Sequence, residues 1–389
     1  MKRTNWKVVA GILLVALASV VVWRLTRNVS PYVPPKTRDF SSSGTVDETT
    51  AQRLQAILDQ DLNKLKIPGM QAYIRTADGK TWSGASGTTD LRRVNALLPD
   101  NIFRVGSVTK TFTAVIILKL VEEGHLSLDD TLSRWFPDFP NAEAITIREL
   151  LTHTSGIPEI IPKILMKSII PSTLWQTQQL VEIAAKEKPL FSPGSAFSYS
   201  NANYILLGLI AEKVTRKTAV QLLHEMVIDP LSLEHTFFVP YEQAPATLVP
   251  GWDRDLSHFP GMLDIGVKNT SWASGAYTSG ALVSNASDLA IFFDDLFSGA
   301  LLSPAMMKEM TTYIDAPNPG FSEQTGYGLG LMQINIDGHE LVGHVGQFMG
   351  FTAIAVVSPM ENYTIVVLCD LSFPRLTDVV ADLQGEINK

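Results

Sequence analysis

Phe103-Arg-Val-Gly-Ser-Val-Thr-Lys-Thr-Phe112 is the stretch from which the rest of the chain can be read. It sets Ser107 three residues ahead of Lys110. Val115, Ile116, Ile117, Leu118, Leu120 and Val121 follow without a breaker until Gly124. A run apolar on all sides is a buried helix, with the glycine at its C-terminal end. Residues three apart share a helical face, so the lysine amine can reach the serine hydroxyl at the head of that helix. A serine hydroxyl is a weak nucleophile until a neighbouring base takes its proton. Burial among apolar residues depresses a lysine pKa, which frees the amine for that work. Ser-x-x-Lys is a common pattern, but it occurs once in these 389 residues, and at this position.

The composition is 46% hydrophobic and 18% charged, enough for one large domain or two subdomains. A net charge of −8 argues against nucleic acid as a partner. The seven histidines are scattered, with no His-Glu-x-x-His, and the single cysteine, Cys369, has no second cysteine to join it. No metal and no cofactor are expected. Cys369 closes the apolar run from Tyr363 and reads as an inert core residue.

Upstream, Lys2, Arg3 and Lys7 precede an apolar run from Val8 to Trp23, and Arg24 and Arg27 follow it. With Trp6 and Trp23 at the two interfaces, residues 8–23 read as a membrane anchor within 1–27. A cleaved leader is the alternative, since Ala16-Leu17-Ala18 resembles a cleavage site, although Val20 to Trp23 continue the apolar run past it. The basic residues favour a body outside the cytoplasm, in the periplasm or at the cell surface. Residues 28–45, with Pro31, Pro34, Pro35 and Ser41-Ser-Ser-Gly44, have linker composition. The body is then 46–389.

Thr45-Val-Asp-Glu48 reads as a capping box for an amphipathic helix through Leu65. A hairpin over Asp78-Gly79 follows. Two more hairpins come late, turning at Asp337-Gly338 and at Pro359-Met-Glu-Asn362, before a closing helix from Pro374. Strands at both ends with helices between predict an α/β (α+β) fold. One antiparallel sheet joins the termini, flanked by N- and C-terminal helices, with an all-helical subdomain inserted. His153, in Leu150-Leu-Thr-His-Thr-Ser-Gly156, reads as a structural loop histidine.

Tyr199-Ser-Asn201 and His344-Val-Gly346 complete a three-part pattern with Ser107-x-x-Lys110. In this the chain resembles the serine penicillin-recognising enzymes, whose sister signature is Ser-x-x-Lys, Ser-Asp-Asn, Lys-Thr-Gly. It is most similar to the branch of class C β-lactamases, the Streptomyces-type D-alanyl-D-alanine carboxypeptidase and related esterases. Phe103-Arg-Val-Gly-Ser107, Phe191-Ser-Pro-Gly194 and Ser279-Gly-Ala-Leu-Val-Ser284 carry the same resemblance, over about residues 46–389.

The resemblance implies an acyl-enzyme on Ser107, with Lys110 and Tyr199 sharing the proton work and a nearby ammonium favouring the Tyr199 phenolate. It further implies that Asn201 holds the lysine and the acyl portion, and that His344 orients the Tyr199 hydroxyl or the leaving group in place of a lysine. The backbone N–H groups of Ser107 and Gln347 would form the oxyanion hole, with Val345 and Gly346 against the substrate. Val345 stands where a threonine hydroxyl often helps to hold a substrate carboxylate. Between Asp255 and Gly343 there is no arginine. The pattern therefore favours ester or amide hydrolysis of a small-molecule or peptide acyl substrate, with β-lactamase or carboxypeptidase action as the alternative. A catalytically silent tethered binding domain is the rival of another class. No Gly-x-Ser-x-Gly elbow is present to support an α/β-hydrolase.

Overall fold

The two ends of the body meet in one sheet. In a computed structural model that describes residues 29–30, 41–89, 95–167, 174–253, 262–264 and 270–389, nine antiparallel strands stand side by side. Their order is Ile314–Asp315, Gln324–Tyr327, Met332–Ile336, His339–Phe348, Phe351–Ser358, Tyr363–Cys369, Gly69–Arg75, Thr81–Gly87 and Ser41–Gly44. The joint between early and late chain is the pairing of Tyr363–Cys369 with Gly69–Arg75, where Val366 faces Tyr73 and Leu368 faces Gln71. The late strand lacks polar alternation because both of its faces are covered. Cys369 is buried there as a free thiol.

One face of the sheet carries the helices Glu48–Leu65 and Leu376–Ile387. Leu54, Leu58 and Leu62 share a core there with Val379, Val380 and Leu383, over Ile365 and Val367. Each such side chain taken from water stabilises the layer by roughly 1.5–3 kcal/mol. The first helix begins later than the capping box predicts. Asp47 is the cap, accepting the Thr50 N–H at 3.0 Å. Thr45 instead accepts the Thr81 N–H at 2.8 Å, because Ser41–Gly44, within the stretch of linker composition, is still paired to the sheet edge at that point.

The other face carries the helix Ala286–Ser298 and the inserted helical region. Within it, Gly106–Val108 is a tight 3₁₀ turn that runs into the helix Thr109–Glu122, with Gly124 just beyond its end. Ser107 therefore sits in the turn before the helix rather than on its first residue. Three buried threonines tie the assembly together. The hydroxyls of Thr109, Thr111 and Thr113 donate to the carbonyls of Gly106, Gly330 and Thr278 at 2.7, 2.9 and 2.7 Å. A polar group in so apolar a helix is stable only when bonded in this way.

The candidate anchor, residues 8–23, lies outside the described residues. Among those described, no helix is long and apolar enough to cross a membrane. Val29–Ser30, in the linker stretch, pairs with Met262–Asp264 at the edge of a separate three-stranded sheet.

Candidate active site

Lys110 has no exposed surface. Its amine lies 3.0 Å from Ser107 Oγ, 2.6 Å from Asn201 Oδ1 and 2.8 Å from the carbonyl oxygen of Ser279. Two of these partners accept only. An uncharged amine has two N–H donors and one lone pair, so the donors satisfy Asn201 and Ser279 and the lone pair faces the Ser107 hydroxyl. Burial pulls the Lys110 pKa down to about 7, with the Glu159 carboxylate opposing the shift. The geometry thus presents a base to Ser107 near neutral pH.

Asn201 is held from behind. Its backbone N–H and its Nδ2 both donate to Glu159 Oε2, at 3.0 and 2.7 Å, and Glu159 Oε1 accepts the Ile161 N–H. Asn201 Oδ1 is thereby aimed at the lysine. One N–H of its amide goes to Glu159, which leaves the other for the acyl portion of a substrate in the cavity that Asn201 lines. Nothing in the local sequence marked Glu159, which lies in the loop after Gly156-Ile-Pro158.

The Tyr199 ring packs against His153, centroids 4.3 Å apart and planes tilted by 34°, and Lys110 Nζ stands 4.8 Å from its centroid. Its hydroxyl is buried without a well-formed hydrogen bond, and the Ser107 hydroxyl is its polar neighbour. Burial drives the phenol well above its ordinary pKa, with Tyr327 adding to the shift and the Ser107 hydroxyl opposing it. Desolvation therefore works against the expected phenolate and favours the protonated phenol.

His344 also departs from expectation. It is fully buried, and burial together with Lys110 takes its pKa down to about 3. The ring is neutral and cannot replace a lysine cation, and its bonds go to groups other than Tyr199. Nδ1 meets the Val345 carbonyl at 2.7 Å and must carry the proton. Nε2 therefore accepts from the Tyr327 hydroxyl at 3.0 Å. The Tyr327 oxygen faces His153 Nε2 at 3.3 Å, while His153 Nδ1 accepts the Ser200 N–H at 3.1 Å. Every hydrogen in the chain Ser200–His153–Tyr327–His344–Val345 is oriented by its neighbours. His153, read as structural, supports the floor under Tyr199. Nothing in the local sequence marked Tyr327.

Backbone approach sets the remaining geometry. A Cβ on Gly346 would lie 1.9 Å from the Val105 oxygen and 3.2 Å from the Ser107 nitrogen. On Gly106, whose φ is +51°, it would lie 2.5 Å from the Gln347 oxygen. Only glycines let the strand His339–Phe348 lie this close to the nucleophile turn. Ser107 and Gln347 consequently line one cavity of about 210 Å³, with Asn201 and Ser279 beside them. Val345 lies on the far side of Gln347, in a second cavity that includes Glu323 and Arg375.

A family model described as Beta-lactamase matches residues 54–388. Protein flp of Staphylococcus aureus (strain MW2) is 28% identical over 348 residues, which is 86% of this chain and 66% of that protein. The chain thus spans just under two thirds of that relative's length. Penicillin-binding protein 4* of Bacillus subtilis (strain 168) is 25% identical over 69% of this chain and 61% of its own. Among solved structures, D-amino acid amidase from Ochrobactrum anthropi SV3 complexed with D-phenylalanine superposes with a TM-score of 0.80. It is 25% identical over 88% of this chain and 99% of that one. D-stereospecific amidohydrolase from Streptomyces sp. gives 0.74 at 30% identity, over 88% and 98%.

Proposed function

Because the chain belongs to the β-lactamase family and is a serine hydrolase, we propose that it cleaves an ester or amide through an acyl-enzyme on Ser107. The observation that carries this reading is the Lys110 amine, dry and held between Ser107 Oγ, Asn201 Oδ1 and the Ser279 carbonyl. Lys110 takes the Ser107 proton as Oγ bonds to the substrate carbonyl carbon. The oxyanion that forms is met by the backbone N–H groups of Ser107 and Gln347. When the C–O or C–N bond breaks, the leaving group takes a proton from Tyr199, and the Lys110 ammonium restores the phenol. Water then attacks the acyl-enzyme along the reverse path.

Ester and amide substrates rank above D-alanyl-D-alanine peptides and β-lactams. Those substrates bear a carboxylate, and Val345 offers it no hydroxyl. Arg375, which lines the neighbouring cavity, is already paired with Glu323 and Asp378. The amidases among the structural relatives support the amide reading. The sequence of residues 8–23 supports a tethered enzyme with its body outside the cytoplasm, tested by fractionating the full chain.

The decisive experiment is intact-mass detection of an acyl adduct across esters, D-amino acid amides and β-lactams, with Ser107→Ala as control. An adduct on the wild type alone is expected. No adduct from any donor overturns the reading in favour of a silent binding domain, and adducts confined to β-lactams overturn the ranking.

A further inference from the structure

We propose that the cavity beside Ser107 binds an apolar acyl group and that Phe373 determines which acyl groups fit. This inference rests on the acyl-enzyme reading above.

Of the cavity's polar residues, Ser107 and Asn201 serve the reacting centre through their side chains, and Ser279 and Gln347 through their backbone. Beyond them the walls are Ile161, Ile164 and Leu165 on one side, Trp272 and Ala276 on another, and Phe348 and Met349 at the hairpin turn. Among the described residues, no charged side chain lines it. The space continues directly from Ser107, so whatever fills it is attached to the serine or about to be. An uncharged group satisfies such walls; a carboxylate or ammonium there would lose its hydration without a partner.

Phe373 closes the mouth. Its ring lines this cavity and also the second one, of about 440 Å³, that holds Glu323, Arg375 and Thr377. It stands between a mostly apolar cavity and one whose walls mix apolar side chains with Glu323 and Arg375. Its backbone is in the left-handed region, φ +57°, where a bulky side chain is rare and which is further disfavoured before Pro374. Neighbours hold it there. The Phe373 N–H donates to Thr352 Oγ1 at 3.0 Å, and that hydroxyl donates to the Leu371 carbonyl at 2.9 Å. Ser372 Oγ accepts the Gly350 N–H at 2.7 Å, and the Ser372 N–H donates to the Trp252 carbonyl at 3.0 Å. The result is a phenyl ring left 53% exposed at the entrance. Those bonds fix the backbone, but they do not call for an apolar ring in water at that position; a bound apolar group would cover it.

The test compares p-nitrophenyl acetate, butyrate, octanoate and succinate on the purified full chain, with Ser107 acylation followed by intact mass. Burying one methylene is worth about fourfold in rate, from ~0.8 kcal/mol at 1.36 kcal/mol per decade. At least a tenfold rise in kcat/KM from acetate to octanoate is expected, with the anionic succinate below butyrate. Phe373→Ala and Phe373→Gly should each flatten that rise at least threefold. Phe373→Gly should also raise Tm, since glycine adopts the left-handed conformation freely; lost selectivity in a more stable protein separates ligand contact from folding. Equal acylation by all the esters, a preference for succinate, or an intact chain-length rise in both variants overturns the inference and leaves the hydrolase standing. Absence of any acyl-enzyme overturns both.

Discussion

Tyr327 donates its hydroxyl proton to Nε2 of His344 across 3.0 Å, in a pocket where neither side chain touches solvent. The same oxygen lies 3.3 Å from His153, whose ring underlies Tyr199. Tyr327→Phe keeps the ring and removes both bonds. His344 Nε2 and His153 Nε2–H are then buried without partners, at about 1–3 kcal/mol each if nothing rearranges. A lower Tm and a reduced kcat with KM nearly unchanged are expected from thermal unfolding and steady-state kinetics. An unaltered kcat in a destabilised variant would make the chain purely structural.

Lys110 works only when uncharged, and its pKa lies at about 7. Acylation should therefore rise with pH through about 7 and fall nearly tenfold per unit well below it. Glu159 is the anion that holds this pKa up. Glu159→Gln removes the charge and its one amide oxygen can still accept the two Asn201 N–H groups, while the Ile161 N–H loses its acceptor; with the charge gone, the acid limb should move to lower pH. A pre-steady-state pH profile of both proteins checks the direction; a limb that moves upward would show that Glu159 does not act on the lysine. Lys110→Arg, which cannot lose its proton, should show no limb and almost no activity.

How much of this could be read in the chain depends on how close the partners are along it. Ser107 and Lys110 lie within one turn, so helical spacing alone links them. The three hairpins and the closing helix follow from turn residues and apolar periodicity, and the sheet joining early and late strands follows from where they stand. Tyr199, Asn201 and His344 are linked to the serine only through resemblance, because no local rule connects residues so far apart. Glu159, Tyr327 and Phe373 carry no local signal. The first two acquire their roles from contacts with distant residues, and the third from a left-handed φ that a Phe-Pro sequence argues against. The electrostatics misled the reading at Tyr199 and His344, since burial depth, which decides both pKa values, is a property of the folded core.

Asp61 is buried on the helix Glu48–Leu65, and its Oδ2 has no hydrogen-bond partner. Burial, then Asp382, raise its pKa to about 6, against the pull of Lys64. The folded state binds the extra proton between the unfolded value of 3.8 and about 6, so this group's contribution to stability falls as pH rises through that window. Asp61→Asn should be more stable than wild type at pH 7.5, by about 1 kcal/mol after allowance for solvent on the Lys64 side, with the gain gone below pH 4. Urea unfolding at the two pH values measures it. An equal change at both would point to packing instead.

At Gly346 the sheet's backbone lies against the nucleophile turn, and a single methyl group tests what that closeness is for. A Cβ there would stand 1.9 Å from the Val105 oxygen, so in Gly346→Ala the strand or the turn must move. Overpacking of this kind costs about 1–3 kcal/mol of stability. The movement also separates the N–H groups of Ser107 and Gln347. Losing one properly placed oxyanion donor slows acyl transfer by about a hundred- to a thousandfold. A charged oxyanion feels the displaced donors far more than the neutral ground state does, so kcat should carry the loss while KM changes little. Gly343 serves as the control. A Cβ there would lie 2.0 Å from the Ala355 oxygen, an equal crowding farther along the same strand and away from Ser107. Gly343→Ala should show a similar fall in Tm with a much smaller fall in kcat. Matching losses of kcat in the two variants would mean that the strand's general fit, and not its contact with the serine turn, sets the rate.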